Sequence, residues 1–416
     1  MANLRADFLA YLTAQGFAPA ASPETCPVLA GAAGEAETFL PALASAIRHA
    51  DAVLLVDPAM PPPRLRPSVT EIALMQETAQ ADFLFLLPTS GSTGGAKWIA
   101  HSFATLTAAA DAFAQQINET DARHVSPLPL SHVGGLMPLF RAWRGEGRFD
   151  AVRAEALTEE AVARSTLSLV PTQVARLLEE PSGVAAMRAC RRILLGGSAL
   201  PHSLADQARA AGIPLAPCYG MTETAALITL LEPEAFLAGF EGVGRPLPGV
   251  KLKCARDGRL GVRGPTVGWG AWRDDGTGWE PFAREPFWTD DLAEDSAEGH
   301  WRILGRRDHL INTGGRKVDP SAVVRVLRAA ESVLDAAVVG VAHLEWGETV
   351  AAVVETVDGA LPAGLEAAAR QRLPGYAVPK AWRAVTALPR NGLGKVSAPR
   401  LRALFTEDAA SLPADR

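Results

Sequence analysis

The stretch Thr89-Ser-Gly-Ser-Thr-Gly-Gly-Ala-Lys97 is the segment of this chain that points most directly to a fold. It combines hydroxyl side chains, glycines and one lysine, and it closely follows Phe83–Leu87, an apolar run that predicts a short buried strand. Glycines permit positive φ and close approach of a ligand, and successive backbone N–H groups in such a turn form an anion-binding concavity. The stretch predicts a phosphate-binding loop. The alternative is a serine- and glycine-rich surface turn that binds nothing.

This loop is not a Walker A loop, which requires Gly-x-x-x-x-Gly-Lys-Ser/Thr. Counted from Gly91, the second glycine falls on Ala96, and Trp98 stands where the hydroxyl residue belongs. The sequence therefore indicates a phosphate loop of another type.

Composition excludes several classes of protein. A length of 416 residues predicts roughly two to three domains, and 48% hydrophobic with 21% charged residues is typical of a globular protein. The net charge of −6 argues against a nucleic-acid-binding surface, and no apolar run is long enough for a membrane span. The N-terminus lacks the pattern of a signal peptide. Four scattered cysteines predict unpaired thiols and a cytoplasmic protein, with Cys218 as a packing residue.

Strand-like and helix-like segments alternate along most of the chain. Strands are predicted at residues 52–56, 83–87, 167–170, 192–195, 213–216 and 335–341, and helices at 4–15, 105–116, 174–178, 204–211 and 320–329. This order predicts a mainly parallel sheet with helices on both faces, and ligands bind such sheets at the carboxyl ends of strands. From about Gly242 glycine, proline and tryptophan become frequent, which indicates a small β-rich subdomain in which the tryptophans pack.

Four further segments follow the loop in a fixed order. They are Tyr219-Gly-Met-Thr-Glu-Thr224, Phe287-Trp-Thr-Asp-Asp-Leu292, Gly305-Arg-Arg-Asp-His-Leu-Ile311 leading to Gly314-Gly315, and Pro389-Arg-Asn-Gly-Leu-Gly-Lys395. Together with the loop they resemble the adenylate-forming superfamily, which includes acyl-CoA synthetases, the adenylation domains of peptide synthetases and luciferases. The resemblance extends from about residue 83 to residue 400.

Within that superfamily the chain most resembles o-succinylbenzoate–CoA ligases and related small acyl-CoA ligases. The segments that carry this resemblance are Pro129–Leu136, Ser168–Thr172 and Leu194–Ser198. It implies an α/β fold with a large N-terminal domain of layered α/β sheets over residues 1–307, including a β-rich subdomain at about 242–304. A small mobile α+β C-terminal domain over 308–416 would carry the catalytic lysine.

The resemblance implies an ATP-dependent carboxylate–CoA ligase. Such an enzyme uses ATP and Mg²⁺ to convert a carboxylic acid, here an aryl or small acyl acid, into an acyl-adenylate and pyrophosphate. The thiol of coenzyme A then displaces AMP. Two alternatives stay open: an adenylating enzyme that loads a separate acyl-carrier protein, and a non-catalytic nucleotide-binding protein on the same scaffold. The expected protein is a monomer or homodimer without nucleic-acid partners.

The resemblance also assigns roles to residues. Lys395 aligns the attacking carboxylate with the α-phosphate, Thr222 donates to that phosphate, Glu223 is associated with magnesium, and Arg306 contacts ribose or phosphate. Tyr219 lies against adenine, and Asp291 accepts hydrogen bonds from the ribose hydroxyls. The full set expected to bind ATP or AMP is Thr89, Ser90, Gly91, Ser92, Thr93, Gly94, Lys97, Gly196, Gly197, Ser198, Tyr219 and Asp291. Ala96 departs from the proline that most members have before the lysine.

The remaining roles concern the acyl group and the second half-reaction. The residues expected to line the acyl pocket are His132, Gly135, Ser168, Val170, Thr224 and Ala225. His132 is expected to gate this pocket, and a buried structural histidine is the alternative. Asp308 is the expected hinge between the domains, and Gly314-Gly315 the expected path for coenzyme A.

Overall fold

The computed structural model describes residues 4–17, 26–58, 63–89, 97–119, 122–296, 298–307, 310–344, 346–390 and 396–406. The loop residues Ser90, Gly91, Ser92, Thr93 and Gly94, the expected hinge residue Asp308 and the expected catalytic residue Lys395 lie outside these ranges. The chain divides into two compact units. One comprises residues 1–253, 261–288 and 295–302, and the other comprises residues 254–260, 289–294 and 303–416.

The helices alternate with the strands over much of the chain. The α-helices are α1 Leu4–Ala14, α2 Ala36–His49, α3 Val69–Ala79, α4 Phe103–Ile117, α5 Val133–Arg144, α6 Glu159–Val162, α7 Pro171–Leu178, α8 Pro181–Ala189, α9 His202–Ala210, α10 Pro233–Leu237, α11 Pro320–Arg328, α12 Leu365–Arg372 and α13 Ala398–Thr406. In the described part of the chain, no helix is both apolar enough and long enough to cross a membrane.

The strands form four sheets. Their bounds are β1 Val28–Ala30, β2 Ala52–Val56, β3 Leu84–Thr89, β4 Lys97–Ser102, β5 Arg123–Ser126, β6 Arg148–Ala151, β7 Thr166–Leu169, β8 Arg192–Leu195, β9 Leu215–Met221, β10 Ala226–Leu230, β11 Arg245–Pro246, β12 Lys251–Cys254, β13 Arg259–Arg263, β14 Gly270–Arg273, β15 Gly278–Pro281, β16 Phe287–Asp295, β17 Trp301–Arg306, β18 Ile311–Thr313, β19 Arg316–Val318, β20 Asp335–His343, β21 Gly347–Glu355 and β22 Ala381–Val385.

The first sheet has six strands in the order β1-β2-β3-β4-β14-β15. Strands β1 to β3 are parallel, whereas β4 runs antiparallel to β3. The prediction of one mainly parallel sheet is wrong at this point, because residues 90–96 are too few for a crossover connection and force an antiparallel return. As a result, Thr89 and Lys97 lie opposite each other at the two ends of the loop.

Tryptophan side chains pack together where β4 and β14 pair in this sheet. Trp98 on β4 and Trp272 on β14 pack with ring centroids 5.4 Å apart, and both are buried. Because β14 pairs with β4, this part of the expected β-rich subdomain extends the six-stranded sheet. The tryptophans there do pack, as expected, in the core with Trp98.

The second sheet has seven strands in the order β11-β10-β9-β8-β7-β5-β6. Strands β6, β5, β7, β8 and β9 are parallel, and β10 returns antiparallel to β9. One face carries Leu167, Leu169 and Ile193 into a core with α7 to α9. Because side chains alternate between the faces of a strand, Ser126 and Ser168 lie on the opposite face, where both are buried.

A third sheet has four strands in the order β12-β13-β16-β17. The fourth sheet, with order β19-β18-β21-β20 and with β22 also paired to β21, is the centre of the second unit. Helices α11 and α12 share one apolar core with this sheet, and α13 contributes Leu401 and Phe405 to another core. The sheet is therefore covered by helices, as the predicted α+β C-terminal domain requires.

Candidate active site

Two glycines and a tyrosine meet at the carboxyl edge of the seven-stranded sheet. Gly196 and Gly197 directly follow β8, and Tyr219 lies on the neighbouring parallel strand β9. Gly197 has φ +84°, a conformation that favours glycine, and a Cβ on Gly196 would lie only 3.2 Å from Cys218 Sγ. The prediction placed Tyr219 after a strand, but β9 continues through Met221 because it pairs with β10.

The turn after β9 holds Thr222 and Glu223 in a fixed conformation. Thr224 is fully buried; its hydroxyl accepts a 3.1 Å hydrogen bond from Met221 N and lies 2.9 Å from the Ala226 carbonyl oxygen. The next residue, Ala225, has φ +54° and is also fully buried. Neither Thr224 nor Ala225 is exposed, and their role in the acyl pocket stays a prediction.

Lys97 and Glu223 form a half-buried ion pair across 126 residues of sequence. Lys97 Nζ lies 2.9 Å from Glu223 Oε1, with 22% and 15% of the two side chains exposed. The ammonium also lies 5.7 Å from the centroid of the Phe282 ring. The expected phosphate-loop lysine and the expected magnesium-associated glutamate are therefore adjacent, at the end of the loop.

His101 is the functional candidate that the sequence did not reveal. It is fully buried on β4, and its Nε2 lies 2.7 Å from the carbonyl oxygen of Thr222. Burial lowers the pKa of His101 to about 4, against an opposing effect of Thr222 and Glu223, so the ring is neutral at pH 7. Since a carbonyl only accepts, Nε2 carries the proton, and Nδ1 accepts from the Thr105 hydroxyl at 3.0 Å.

The same turn is held from its other side. The backbone N–H of Gly268 donates to the Glu223 carbonyl at 2.8 Å. A Cβ on Gly268 would lie 2.8 Å from Ile99 Cγ2 and 3.2 Å from the His101 ring, so only glycine fits without displacement. His101 and Gly268 together fix the backbone that presents Thr222 and Glu223.

The expected acyl-pocket residues begin at the start of α5. His132 Nε2 lies 3.1 Å from Asp57 Oδ2, and both side chains are mostly buried. A Cβ on Gly135 would lie 2.1 Å from the Pro129 carbonyl oxygen, so this glycine is needed for the close approach of two backbone segments. Ser168 is buried on the sheet face described above, and Val170 follows it at the end of β7.

The expected ribose ligands lie in the second unit. Asp291 is 7% exposed, and its Oδ1 lies 3.7 Å from Arg306 Nη1. The Asp291 backbone N–H donates to the Thr289 hydroxyl at 3.1 Å, and that hydroxyl donates to the Leu260 carbonyl at 3.0 Å. The backbone of Asp291 is therefore held by a hydrogen bond, and the guanidinium of Arg306 lies near its carboxylate.

Gly314 and Gly315 connect β18 and β19, two antiparallel strands of the second unit. Their φ angles are +56° and +78°. Positive φ at both central residues is the requirement of a two-residue type I′ hairpin turn, which explains the glycine pair by the backbone alone.

Comparisons with known proteins identify the family and the fold of the chain. Residues 24–268 match the AMP-binding enzyme family, and residues 325–395 match the AMP-binding enzyme C-terminal domain. A protein of Mycobacterium tuberculosis, named a probable 2-succinylbenzoate–CoA ligase, is 32% identical over 388 residues, 89% of this chain and 96% of that protein. A 2-succinylbenzoate–CoA ligase of Bacillus licheniformis is 30% identical over 348 residues, covering 79% and 71%.

Solved structures share the fold. Wild-type E. coli MenE with a bound m-phenylether-linked analogue of OSB-AMS superimposes with a TM-score of 0.70 at 25% identity, covering 97% of this chain and 93% of that one. ATP-bound MatB from Rhodopseudomonas palustris gives a TM-score of 0.74 at 24% identity, with coverage of 97% and 92%. This chain belongs to the AMP-binding enzyme family, which confirms the prediction of an adenylate-forming enzyme.

Proposed function

We propose that this protein is an ATP-dependent carboxylate–CoA ligase whose acid substrate is 2-succinylbenzoate or a close aryl analogue. The single observation that carries the proposal is the ion pair of Lys97 and Glu223 beside the predicted phosphate loop. The substrate assignment is supported by the relatives that match most of the chain, two of which are named as ligases of 2-succinylbenzoate.

The nucleotide-binding roles in this proposal follow from the motif positions of the residues. In the proposal, adenine lies against Tyr219 and the edge formed by Gly196, Gly197 and Ser198. The ribose hydroxyls donate to the buried carboxylate of Asp291, and Arg306 contributes positive charge. The Thr89–Lys97 loop holds the β- and γ-phosphates.

The residues present fit a magnesium ion bound together with ATP. Mg²⁺ is commonly held by one or two carboxylates together with substrate phosphate oxygens and water. Glu223 supplies one carboxylate, and no cluster of three or more His, Cys, Asp or Glu side chains competes for the ion within the described residues. When bound, the ion would neutralise phosphate charge, while Lys97 keeps Glu223 at the end of the loop.

The first half-reaction brings two anions together, so charge neutralisation is its main requirement. Lys395 is proposed to align the substrate carboxylate with the α-phosphate, and Thr222 to donate to that phosphate. Attack of the carboxylate oxygen forms the acyl-adenylate and releases pyrophosphate. For the second half-reaction, the C-terminal domain of residues 308–416 is proposed to rotate about Asp308, with Gly314-Gly315 forming the path for coenzyme A, whose thiol displaces AMP.

A separate acyl-carrier protein is the second candidate for the thiol. Coenzyme A is favoured because the relatives that match most of the chain are named as CoA ligases. A non-catalytic role is disfavoured because Glu223, Asp291 and Lys395 all occupy their motif positions. A cytoplasmic location and a monomeric or homodimeric state remain predictions.

The proposal is tested by isotope exchange between pyrophosphate and ATP in the presence of 2-succinylbenzoate. The wild-type protein should catalyse the exchange, and Glu223→Gln should reduce it by roughly 100-fold because a charged ligand to the ATP-bound cation is lost. Glu234→Gln, at an exposed position of α10, is the matched control and should exchange normally. Equal exchange by both variants would remove Glu223 from the site.

A further inference from the structure

The turn that leads into helix α5 is held by the carboxyl end of β1, a strand of the six-stranded sheet. Ser131 in this turn is fully buried, and its backbone N–H and its hydroxyl both donate to the Gly31 carbonyl, at 3.3 and 3.0 Å. Gly31 directly follows β1. A Cβ on Gly31 would lie 2.6 Å from the Phe39 ring and 3.2 Å from Leu130 Cβ, so the two segments are closely packed. The end of β1 therefore fixes the backbone one residue before His132.

The neighbouring strand of that sheet holds the side chain of His132. Strand β2 pairs in parallel with β1, and Asp57 directly follows it. Asp57 is 8% exposed, and its Oδ2 lies 3.1 Å from His132 Nε2. The carboxyl ends of two adjacent strands thus hold two consecutive residues, β1 through the backbone and hydroxyl of Ser131 and β2 through the imidazole of His132.

Helix formation does not explain the side chain of His132. This residue is the N-cap of α5, a position where Ser, Thr, Asn and Asp are preferred because their side-chain oxygens accept hydrogen bonds from the first helical N–H groups. The His132 side chain makes no capping bond. It contacts instead a carboxylate distant in the sequence, and 15% of the side chain stays exposed. The imidazole is therefore held in place while part of it is accessible.

The carboxylate of Asp57 sets the orientation of the imidazole. The second side-chain torsion of a histidine is broad, so a neighbouring group must select one ring orientation. A carboxylate oxygen only accepts, so Nε2 carries a proton at a distance of 3.1 Å, where two lone pairs would repel. Among the described residues no group meets the geometry of a hydrogen bond to the buried Nε2, so its attraction to Asp57 is mainly electrostatic. Loss of the carboxylate would free the ring to turn.

A second carboxylate contacts α5 at its opposite end and provides a comparison. Asp111 Oδ1 on α4 lies 2.6 Å from Arg144 Nε, with 49% and 34% of the two side chains exposed. The rise of a helix places Arg144 roughly 18 Å from His132. This ion pair also joins a carboxylate to α5, but it lies far from the turn that carries His132.

We propose that Asp57 is a positioning residue that holds His132 in the orientation in which it lines the acyl pocket, and so sets the affinity for the acid substrate. The inference rests on the proposed ligase function and deepens it, because Asp57 lies outside every motif that carries the family resemblance. A side chain that is already in place need not be ordered when the acid binds. Ordering one side chain on binding weakens affinity by roughly 3- to 10-fold.

The test measures the kinetics of AMP release with ATP, Mg²⁺, coenzyme A and 2-succinylbenzoate. Asp57→Ala should raise KM for the acid by roughly 3- to 10-fold and leave kcat and KM for ATP within about twofold of the wild type. Asp57→Asn should behave like the wild type, because its amide oxygen can accept from Nε2 at the same place. Asp111→Ala is the matched control and should leave KM for the acid unchanged.

A double-mutant cycle shows whether Asp57 acts through His132. Asp57→Ala and His132→Ala should each raise KM for the acid, and the double variant should be no worse than His132→Ala, because the side chain that Asp57 positions is gone. Effects that multiply would overturn the inference. If Asp57→Ala does not fold, Asp57→Ser decides, because its hydroxyl is too short to reach Nε2 and it should raise KM in the same way.

The outcomes distinguish the role of Asp57 from the proposed function. Turnover of 2-succinylbenzoate with the same KM in Asp57→Ala and the wild type would retain the ligase and overturn the role of Asp57. Turnover of a different acid would refute the named substrate, and a raised KM for that acid in Asp57→Ala would retain the role. A lowered KM in both Asp57→Ala and Asp57→Asn would mean that the carboxylate only repels the anionic substrate, which contradicts positioning. Absence of turnover with every acid would overturn both proposals.

Discussion

Replacing His101 with leucine should reveal how strongly the Thr222–Glu223 turn depends on a buried histidine. The substitution removes the 2.7 Å hydrogen bond to the Thr222 carbonyl and the 3.0 Å bond to Thr105, in a side chain with no solvent exposure. A buried acceptor left without a partner costs about 1–3 kcal/mol. We expect His101→Leu to lower the free energy of unfolding by about 2 kcal/mol at pH 7.5.

The same substitution should change the pH dependence of stability. The pKa of His101 falls from 6.5 to about 4 on folding, so the unfolded chain binds more protons between these values. The stabilisation is therefore complete above pH 6.5 and is lost as the pH falls toward 4, by roughly 3 kcal/mol in total. His101→Leu lacks this titration. The stability difference from the wild type should shrink by about 2 kcal/mol between pH 7.5 and pH 5.0.

Urea-induced unfolding followed by tryptophan fluorescence, at several pH values, measures both effects. His124, whose pKa is lowered to about 3, titrates in both proteins and cancels in the difference. His101→Gln is the control, because its side-chain amide can still donate to the Thr222 carbonyl, so it should recover part of the stability at pH 7.5. Parallel pH curves for the wild type and His101→Leu would refute the assignment of a neutral, depressed histidine.

Three further predictions concern the site. Lys395→Ala should nearly abolish acyl-adenylate formation and largely spare thioester formation from a supplied acyl-adenylate; an equal loss of both half-reactions would contradict domain rotation. Asp291→Ala should weaken ATP binding by roughly 10-fold or more, as measured by calorimetry, because a charged acceptor of the ribose hydroxyls is lost; unchanged affinity would remove it from the ribose role. Gly268→Ala should lower the thermal midpoint by several degrees, because its Cβ would lie 2.8 Å from Ile99.

Many strands and helices could be predicted from the sequence because the residue patterns that specify them are local. Strands at Ala52–Val56 and Arg192–Leu195 are observed at the predicted residues, since each is a short apolar run bounded by turn residues or a helix end. The pairing of β14 with β4 could not be predicted from the sequence. Partners so distant in sequence are chosen by packing, which no local pattern encodes, so the tryptophans were assigned to a separate subdomain.

In the site, too, the sequence predicted residues, and the structure was needed to show their contacts and burial. The order of motifs identified Lys97 and Glu223, and the structure adds that they form an ion pair. His101 was missed because a single polar residue in a strand has the same local pattern whether it faces solvent or a buried surface. Only the arrangement of sheets and helices around it shows that it is buried.

The most direct test of the central claim is the release of pyrophosphate and AMP from ATP and Mg²⁺ across a panel of carboxylic acids, with and without coenzyme A. The panel holds 2-succinylbenzoate, benzoates, and short and medium fatty acids. We predict release that requires both 2-succinylbenzoate, or a close aryl analogue, and coenzyme A. Pyrophosphate release with a tightly held adenylate and no response to coenzyme A would contradict the choice of thiol. No turnover with any acid, although ATP binds, would contradict the ligase function itself.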